Sequence, residues 1–111
     1  MTYKLKTLLK EIATLPEFSN LSKVSVNSQG IFGNYPIHAV CTWQDKEAVE
    51  TLIANGADIN SIGERGETPI FRVARDKNED FMEFLIKSGA DSNVKNDEGL
   101  TALDVANGCN P

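Results

Sequence analysis

The chain has 111 residues, of which 41% are hydrophobic and 24% charged, and it carries a formal net charge of −5. That size bounds it to one small domain with a modest core, whose stability falls toward the lower part of roughly 5–15 kcal/mol, so that a partner contributes to stability. An acidic balance without a basic stripe excludes unaided binding to phosphate backbones. No apolar run approaches the about 20 residues that span a bilayer, so neither nucleic acid nor membrane is expected as a partner and the cytoplasm is the expected compartment. Cys41 and Cys109 offer no disulfide framework and no metal-ligand spacing, and are expected to be reduced thiols.

Taken in chain order, Leu5, Leu8, Leu9, Ile12 and Leu15 follow an i, i+3, i+4, i+7 spacing with Lys4, Lys6, Lys10 and Glu11 opposite. This predicts one amphipathic helix. Pro16 either ends it or starts a second short helix through Phe18 and Leu21, and residues 24–27 lead into a loop. Pro36 then opens a helix, since its fixed φ suits the first helical position. Val49, Leu52 and Ile53 mark the apolar face of the next helix, and Gly56 closes it in a left-handed turn that costs glycine little. Residues 58–66 have the polar, glycine-containing character of an exposed hairpin-like loop. Thr68 before Pro69 is a second helix start, with the hydroxyl available to cap a free backbone N–H. Residues 69–75 form the short helix that follows. Glu79–Lys87 reads as its amphipathic partner, with Met82, Leu85 and Ile86 on one face, Phe81 and Phe84 beside it, and Gly89 at its end. Leu103, Val105 and Ala106 belong to a last helix that covers the preceding unit, either as a minimal C-terminal cap or as the opening of an incomplete unit.

A fixed interval organises these elements. Tyr35-Pro36-Ile37-His38, Thr68-Pro69-Ile70-Phe71 and Thr101-Ala102-Leu103-Asp104 are spaced by 33 residues. Gly33, Gly66 and Gly99 keep the same spacing, as do Asn27, Asn60 and Asn93, and as does Gly56-Ala57-Asp58 with Gly89-Ala90-Asp91. No unit of that length buries a core alone, so the pattern predicts a stacked solenoid. An open stack needs end units with one polar side, which assigns residues 1–29 to an N-terminal cap.

These residues resemble the ankyrin repeat, whose signature is Thr-Pro-Leu-His-x-Ala near the start of a unit and Gly-Ala-Asp-x-Asn near its end. The resemblance implies an all-α ankyrin-repeat solenoid of stacked helix-turn-helix units joined by hairpin-like loops, with a helical N-terminal cap. Its expected parts are a cap over 1–29, repeats over 30–62 and 63–95, and a partial third repeat or C-terminal cap over 96–111. The chain departs from the family at Tyr35, which replaces Thr, at Phe71 and Asp104, which replace His, and at Gln44 and Lys77, which replace the Gly between paired helices. His38 stands at the family's structural histidine, which implies a hydrogen-bonded scaffold role rather than a general base. No Ser-His-Asp set, metal cluster or phosphate loop can be assembled, because glycines such as Gly30 and Gly33 flank a loop without a following lysine. No enzyme activity and no cofactor are expected.

In ankyrin proteins the loop tips and the exposed side of each first helix bind the partner. Transferred by position, that surface draws on Ile31, Phe32, Asn34, Ala39, Thr42 and Trp43, then Glu64, Arg65, Glu67, Arg72, Arg75 and Asp76, then Asp97, Glu98, Leu100 and Val105. The candidate contact residues are Ile31, Phe32, Trp43, Glu64, Arg65, Glu67, Arg72, Arg75, Asp97 and Glu98. Aromatic residues and arginines are over-represented among binding hot spots. The structural alternative packs Phe32 beneath the cap and Trp43 into the gap left by the absent inter-helix glycine. Acidic residues in the loops, including Asp58 and Asp91, either maintain solubility or face a basic protein. The expected function is a monomeric, non-catalytic protein-binding module acting by occlusion. In its specific form it resembles stand-alone ankyrin immunity proteins that neutralise bacterial toxins, with a basic toxin or enzyme as partner. The alternatives are an adaptor or scaffold from a longer array, and a small enzyme on a repeat frame.

Overall fold

The apolar periodicities fold as six α-helices, with no strand among residues 4–108, the span that the computed structural model describes. The N-terminal helix α1 (Leu5–Ala13) buries Leu8 and Ile12 against the next two helices and leaves its lysines in water. Pro16 ends this helix and also opens a single turn of 3₁₀-helix, Pro16–Phe18, which drives Phe18 into the core. The cap is tied to the first loop through Glu17, whose carbonyl accepts from the Ile31 N–H at 2.8 Å. Gly30 is required at that crossing, because a Cβ there would strike the Glu17 carbonyl.

Two helix pairs follow, α2 (Pro36–Trp43) with α3 (Lys46–Ala54) and α4 (Ile70–Arg75) with α5 (Glu79–Lys87), and then α6 (Ala102–Ala106) alone. The first helix of each pair also packs on the first helix of the next, α2 on α4 and α4 on α6. Being covered on several sides, α2 buries every residue from 36 to 41. The second helices are half-exposed and start with side-chain caps. Asp45 accepts from the Ala48 N–H and Asn78 from the Phe81 N–H, each at 3.1 Å. Val49 and Leu52 of α3 and Phe81, Met82 and Leu85 of α5 form the buried stripe. Ile86, expected on that stripe, is 45% exposed instead, while Phe81 is buried as its counterpart Ala48 is.

Gly56 and Gly89 have φ of 98° and 112°, as the helix ends require. Gln44 and Lys77, where the family has glycine, also adopt left-handed backbone with φ of 54° and 55°. For a non-glycine residue that conformation costs on the order of 1–2 kcal/mol. Gln44 offsets part of it by bridging to the next pair, donating to Asp76 at 2.8 Å and accepting from Asn78 at 2.6 Å.

The loops repeat as faithfully as the helices. Two backbone bonds close each of them. The wider runs from Gly30 N–H to the Asn34 carbonyl, Gly63 N–H to the Glu67 carbonyl, and Asn96 N–H to the Leu100 carbonyl, all at 2.9 Å, and the tighter from the Gly33, Gly66 and Gly99 N–H to the carbonyls of Gly30, Gly63 and Asn96. The hairpin-like shape comes from this pair of bonds rather than from a strand ladder. The Gly-Ala-Asp-x-Asn segments are tied in the same recurrent way. Asp58 and Asp91 accept the N–H two residues on, from Asn60 and Asn93, while Asn27 and Asn60 donate across to the carbonyls of Gly56 and Gly89. Asp58 and Asp91 therefore hold the turns and are not loose acidic charges on the loops.

Candidate partner-binding surface

The residues that could carry chemistry are bound into the scaffold. His38 is buried, its Nδ1 accepts the Tyr35 N–H at 3.1 Å, and its Nε2–H therefore donates to the Glu67 carbonyl at 3.0 Å. Burial pushes the imidazole down to about 4, against the opposing pull of the Glu67 carbonyl, so the ring is neutral at physiological pH. Both ring nitrogens are spoken for. Burial likewise pushes the Cys41 thiol up to about 12, which leaves almost no thiolate. Cys109 lies outside the described residues. Among them, no three His, Cys, Asp or Glu side chains come together as a metal set, and no helix is long and apolar enough to cross a membrane.

Of the two other equivalents of His38, Asp104 keeps its bond at the helix start and Phe71 loses it. Asp104 accepts the Thr101 N–H at 3.0 Å and the Thr101 hydroxyl accepts the Asp104 N–H at 3.2 Å, a reciprocal capping box. Phe71 has no acceptor to offer. The expected cap by Thr68 is absent: Pro69 is itself in helical geometry, and the Thr68 hydroxyl is buried without a hydrogen-bond partner.

The loop closures raise three equivalent tips. Ile31 and Phe32 form the first, 53% and 57% exposed, and neither packs beneath the cap. Glu64 and Arg65 form the second, and Asp97 and Glu98 the third, all exposed. Backbone and side-chain bonds link adjacent tips: the Asn34 side-chain oxygen accepts the Glu64 N–H, and the Arg65 carbonyl accepts the Asp97 N–H, each at 2.9 Å. Along the stack the tips thus change from apolar, through mixed, to acidic.

Behind the second tip, Glu64, Arg65, Glu67, Arg72 and Arg75 line one polar cleft of about 210 Å³. The cleft brings together five of the ten candidate contacts, but not as free groups. Glu67 is 4% exposed, with its carboxylate held by Arg75 through two bonds of 2.6 and 2.7 Å and by the Asn96 amide at 2.8 Å. Burial alone would raise its carboxyl; the bonds from Arg75 and Asn96 and the nearby arginine charges outweigh that and lower it. Glu67 is thereby held within the scaffold rather than at its surface. Arg72 donates to the Thr42 hydroxyl at 3.2 Å and lies 4.0 Å from Glu64. Trp43, at the end of α2, is 38% exposed. Asn34 and Ala39 are buried and leave the surface, while Leu100 and Val105 are half-covered. The sequence reading missed Glu17, Asn96 and the exposed Ile62. An apolar residue in an otherwise polar loop was the signal for Ile62.

Stacked helix pairs, recurrent loop closures and a row of exposed tips define a helical-repeat interaction protein. The sequence model of the family described as Ankyrin repeats (3 copies) matches residues 37–110, more than half of the chain. The chain belongs to the ankyrin repeat family, and its fold is that of a protein–protein interaction module. No curated protein matches it.

Proposed function

We propose that the chain is a non-catalytic inhibitor that binds one protein partner across its loop tips and the adjoining side of α2 and α4, and acts by covering that partner's working surface. The observation that carries this reading is the graded row of tips. Ile31 and Phe32, with Trp43 nearby in sequence order on α2, offer the aromatic and aliphatic anchors that dominate interfaces. Asp97 and Glu98 at the other end offer acid to a basic partner. The charges between them are largely internal, since Glu67 is neutralised by Arg75 and Glu64 faces Arg72. Steering therefore rests on the third tip. In its specific form the module is an immunity protein that masks the active site of a basic bacterial toxin, working as a monomer in the cytoplasm.

The test begins with a partner recovered from the source cell and identified by mass spectrometry. Titration with the chain should abolish the partner's activity at a one-to-one ratio. Tight binding with activity intact would make the chain an adaptor instead. Raising salt should slow association, because screening shortens the reach of exposed charges to about 8 Å at physiological ionic strength. Asp97→Lys with Glu98→Lys should slow it further and flatten the salt dependence. A flat series for the parent protein would overturn the electrostatic part and leave the aromatic tip, where Phe32→Ala or Trp43→Ala should weaken binding by about 1 kcal/mol or more.

A further inference from the structure

Because the units repeat every 33 residues, each position in the last unit has two covered counterparts. Ile37 and Ile70 occupy the same place in α2 and α4 and are each 1% exposed, whereas Leu103, third in that series, is 60% exposed. Val40 and Val73 are fully buried, and their counterpart Ala106 is half-covered. The difference has a structural source. α2 and α4 each have a nine-residue second helix packed beside them, with apolar positions at Val49, Leu52 and Ile53 in α3 and at Met82, Leu85 and Ile86 in α5. α6 has none among the described residues. What is left open is an apolar groove of about 320 Å³ between α5 and α6, formed by Met82, Ile86, Leu103 and Ala106 and rimmed by Lys77, Glu79 and Glu83.

We propose that this groove docks an amphipathic helix of another protein, seated as α3 and α5 are beside α2 and α4, with a basic residue set against Glu79. The internal repeat supplies the shape of the occupant: a short helix with apolar residues at i, i+3 and i+4, the helix-in-groove mode of recognition. The rim supplies the sign of its charge through Glu79, since Glu83 is already paired with Lys87 at 3.1 Å, on a chain of −5. A second copy fits poorly on two counts. Face-to-face copies would bring two acidic chains together, and a stable dimer buries about 800 Å² per partner, far more than this groove presents. The site is separate from the loop tips and does not depend on the inhibitory reading.

Two dye-labelled peptides test the proposal. One carries the chain's own residues 45–55, and the other the same sequence with Glu47→Lys and Glu50→Lys. Each is titrated with the full chain and with its Ile86→Glu and Leu103→Glu variants, and binding is read by fluorescence anisotropy. Both peptides should bind the parent chain, the basic one more tightly at low salt, and each variant should weaken binding about tenfold or more. Since both side chains are exposed, the variants should keep the parent's denaturation midpoint. A lowered midpoint for Leu103→Glu would mean that the position is already covered in the free protein and would overturn the proposal. Equal binding by all three proteins, or binding by none, overturns it too. Concentration-dependent self-association of the parent that Leu103→Glu abolishes would assign the groove to a second copy instead. Asp97→Lys at the third tip should leave peptide binding unchanged, which keeps failure here distinct from failure of the loop-tip reading.

Discussion

The two junctions between successive units are built on one backbone plan and held by different side chains. At the first, between the α2–α3 and α4–α5 pairs, neutral groups make the inner part of the crossing, while the charged Asp76 and Arg72 join it only at the exposed side, through Gln44 and Thr42. The His38 imidazole donates to the Glu67 carbonyl and the Asn34 amide oxygen accepts from the Glu64 N–H. At the second, between α4–α5 and α6, the crossing is charged: the Glu67 carboxylate accepts from the Asn96 amide while Arg75 grips it from the side. Position 63 is a glycine pressed against Asn34 and His38, and its equivalent, Asn96, uses its side chain to make the bond. A repeat thus fixes where units touch, and leaves open whether an amide, an imidazole or a carboxylate makes the contact.

Acid should separate the two junctions most clearly. His38 has a folded value near 4 against an ordinary 6.5, so between these pH values the unfolded chain takes up a proton that the folded chain refuses. Stability gained from this group is complete above about 6.5 and falls as pH drops toward about 4, by about 3 kcal/mol at full extent. Glu67 is lowered from its ordinary 4.5, so its contribution is present above that value and is lost only below it. Denaturation midpoints measured across this range should show the His38 slope first and the Glu67 slope at lower pH. A His38→Gln variant, which cannot titrate, should lose the upper slope alone. An unchanged slope would place the acid sensitivity elsewhere.

Steric fit sharpens the contrast at the next level. Gly63→Ala pushes a Cβ into the Asn34 and His38 side chains and should destabilise the fold by about 2 kcal/mol. Asn96→Ala at the equivalent place adds no clash but removes three bonds, one of them to the buried Glu67 carboxylate, and should cost about 2–3 kcal/mol. Chemical denaturation of both variants checks this, and an unchanged midpoint for Gly63→Ala would mean that position 63 can give way.

The smallest effect has the opposite sign. The Thr68 hydroxyl, buried without a partner between the two junctions, should be better replaced by a methyl group of the same shape. Thr68→Val is expected to stabilise the protein by about 1 kcal/mol, since an unsatisfied buried polar group is removed. A lower denaturation midpoint would show that the hydroxyl does hold a bond, through water for instance.

The sequence was most readable where chemistry is local. Glycines at helix ends, the proline at the start of α2 and the apolar period of Glu79–Lys87 each predict an element from its own neighbourhood, and the 33-residue interval predicts their stacking. Reading became less sure where a residue's role depends on a contact one unit away. Glu67 looks like any loop acid until the bonds from Arg75 and Asn96 draw it inside, and Thr68 looks like a cap until Pro69 and Phe71 leave its hydroxyl stranded. Ile86 and Leu103 repeat the pattern of buried residues and yet are exposed, because the helix that would cover them is not among the described elements. Periodicity and turn chemistry act over a few residues, so the sequence by itself determined the helices, their pairing and the family. Burial and electrostatics act across units 29 to 34 residues apart, as in the pairs His38–Glu67 and Gln44–Asn78, and only the tertiary structure decided which charges remain on the surface.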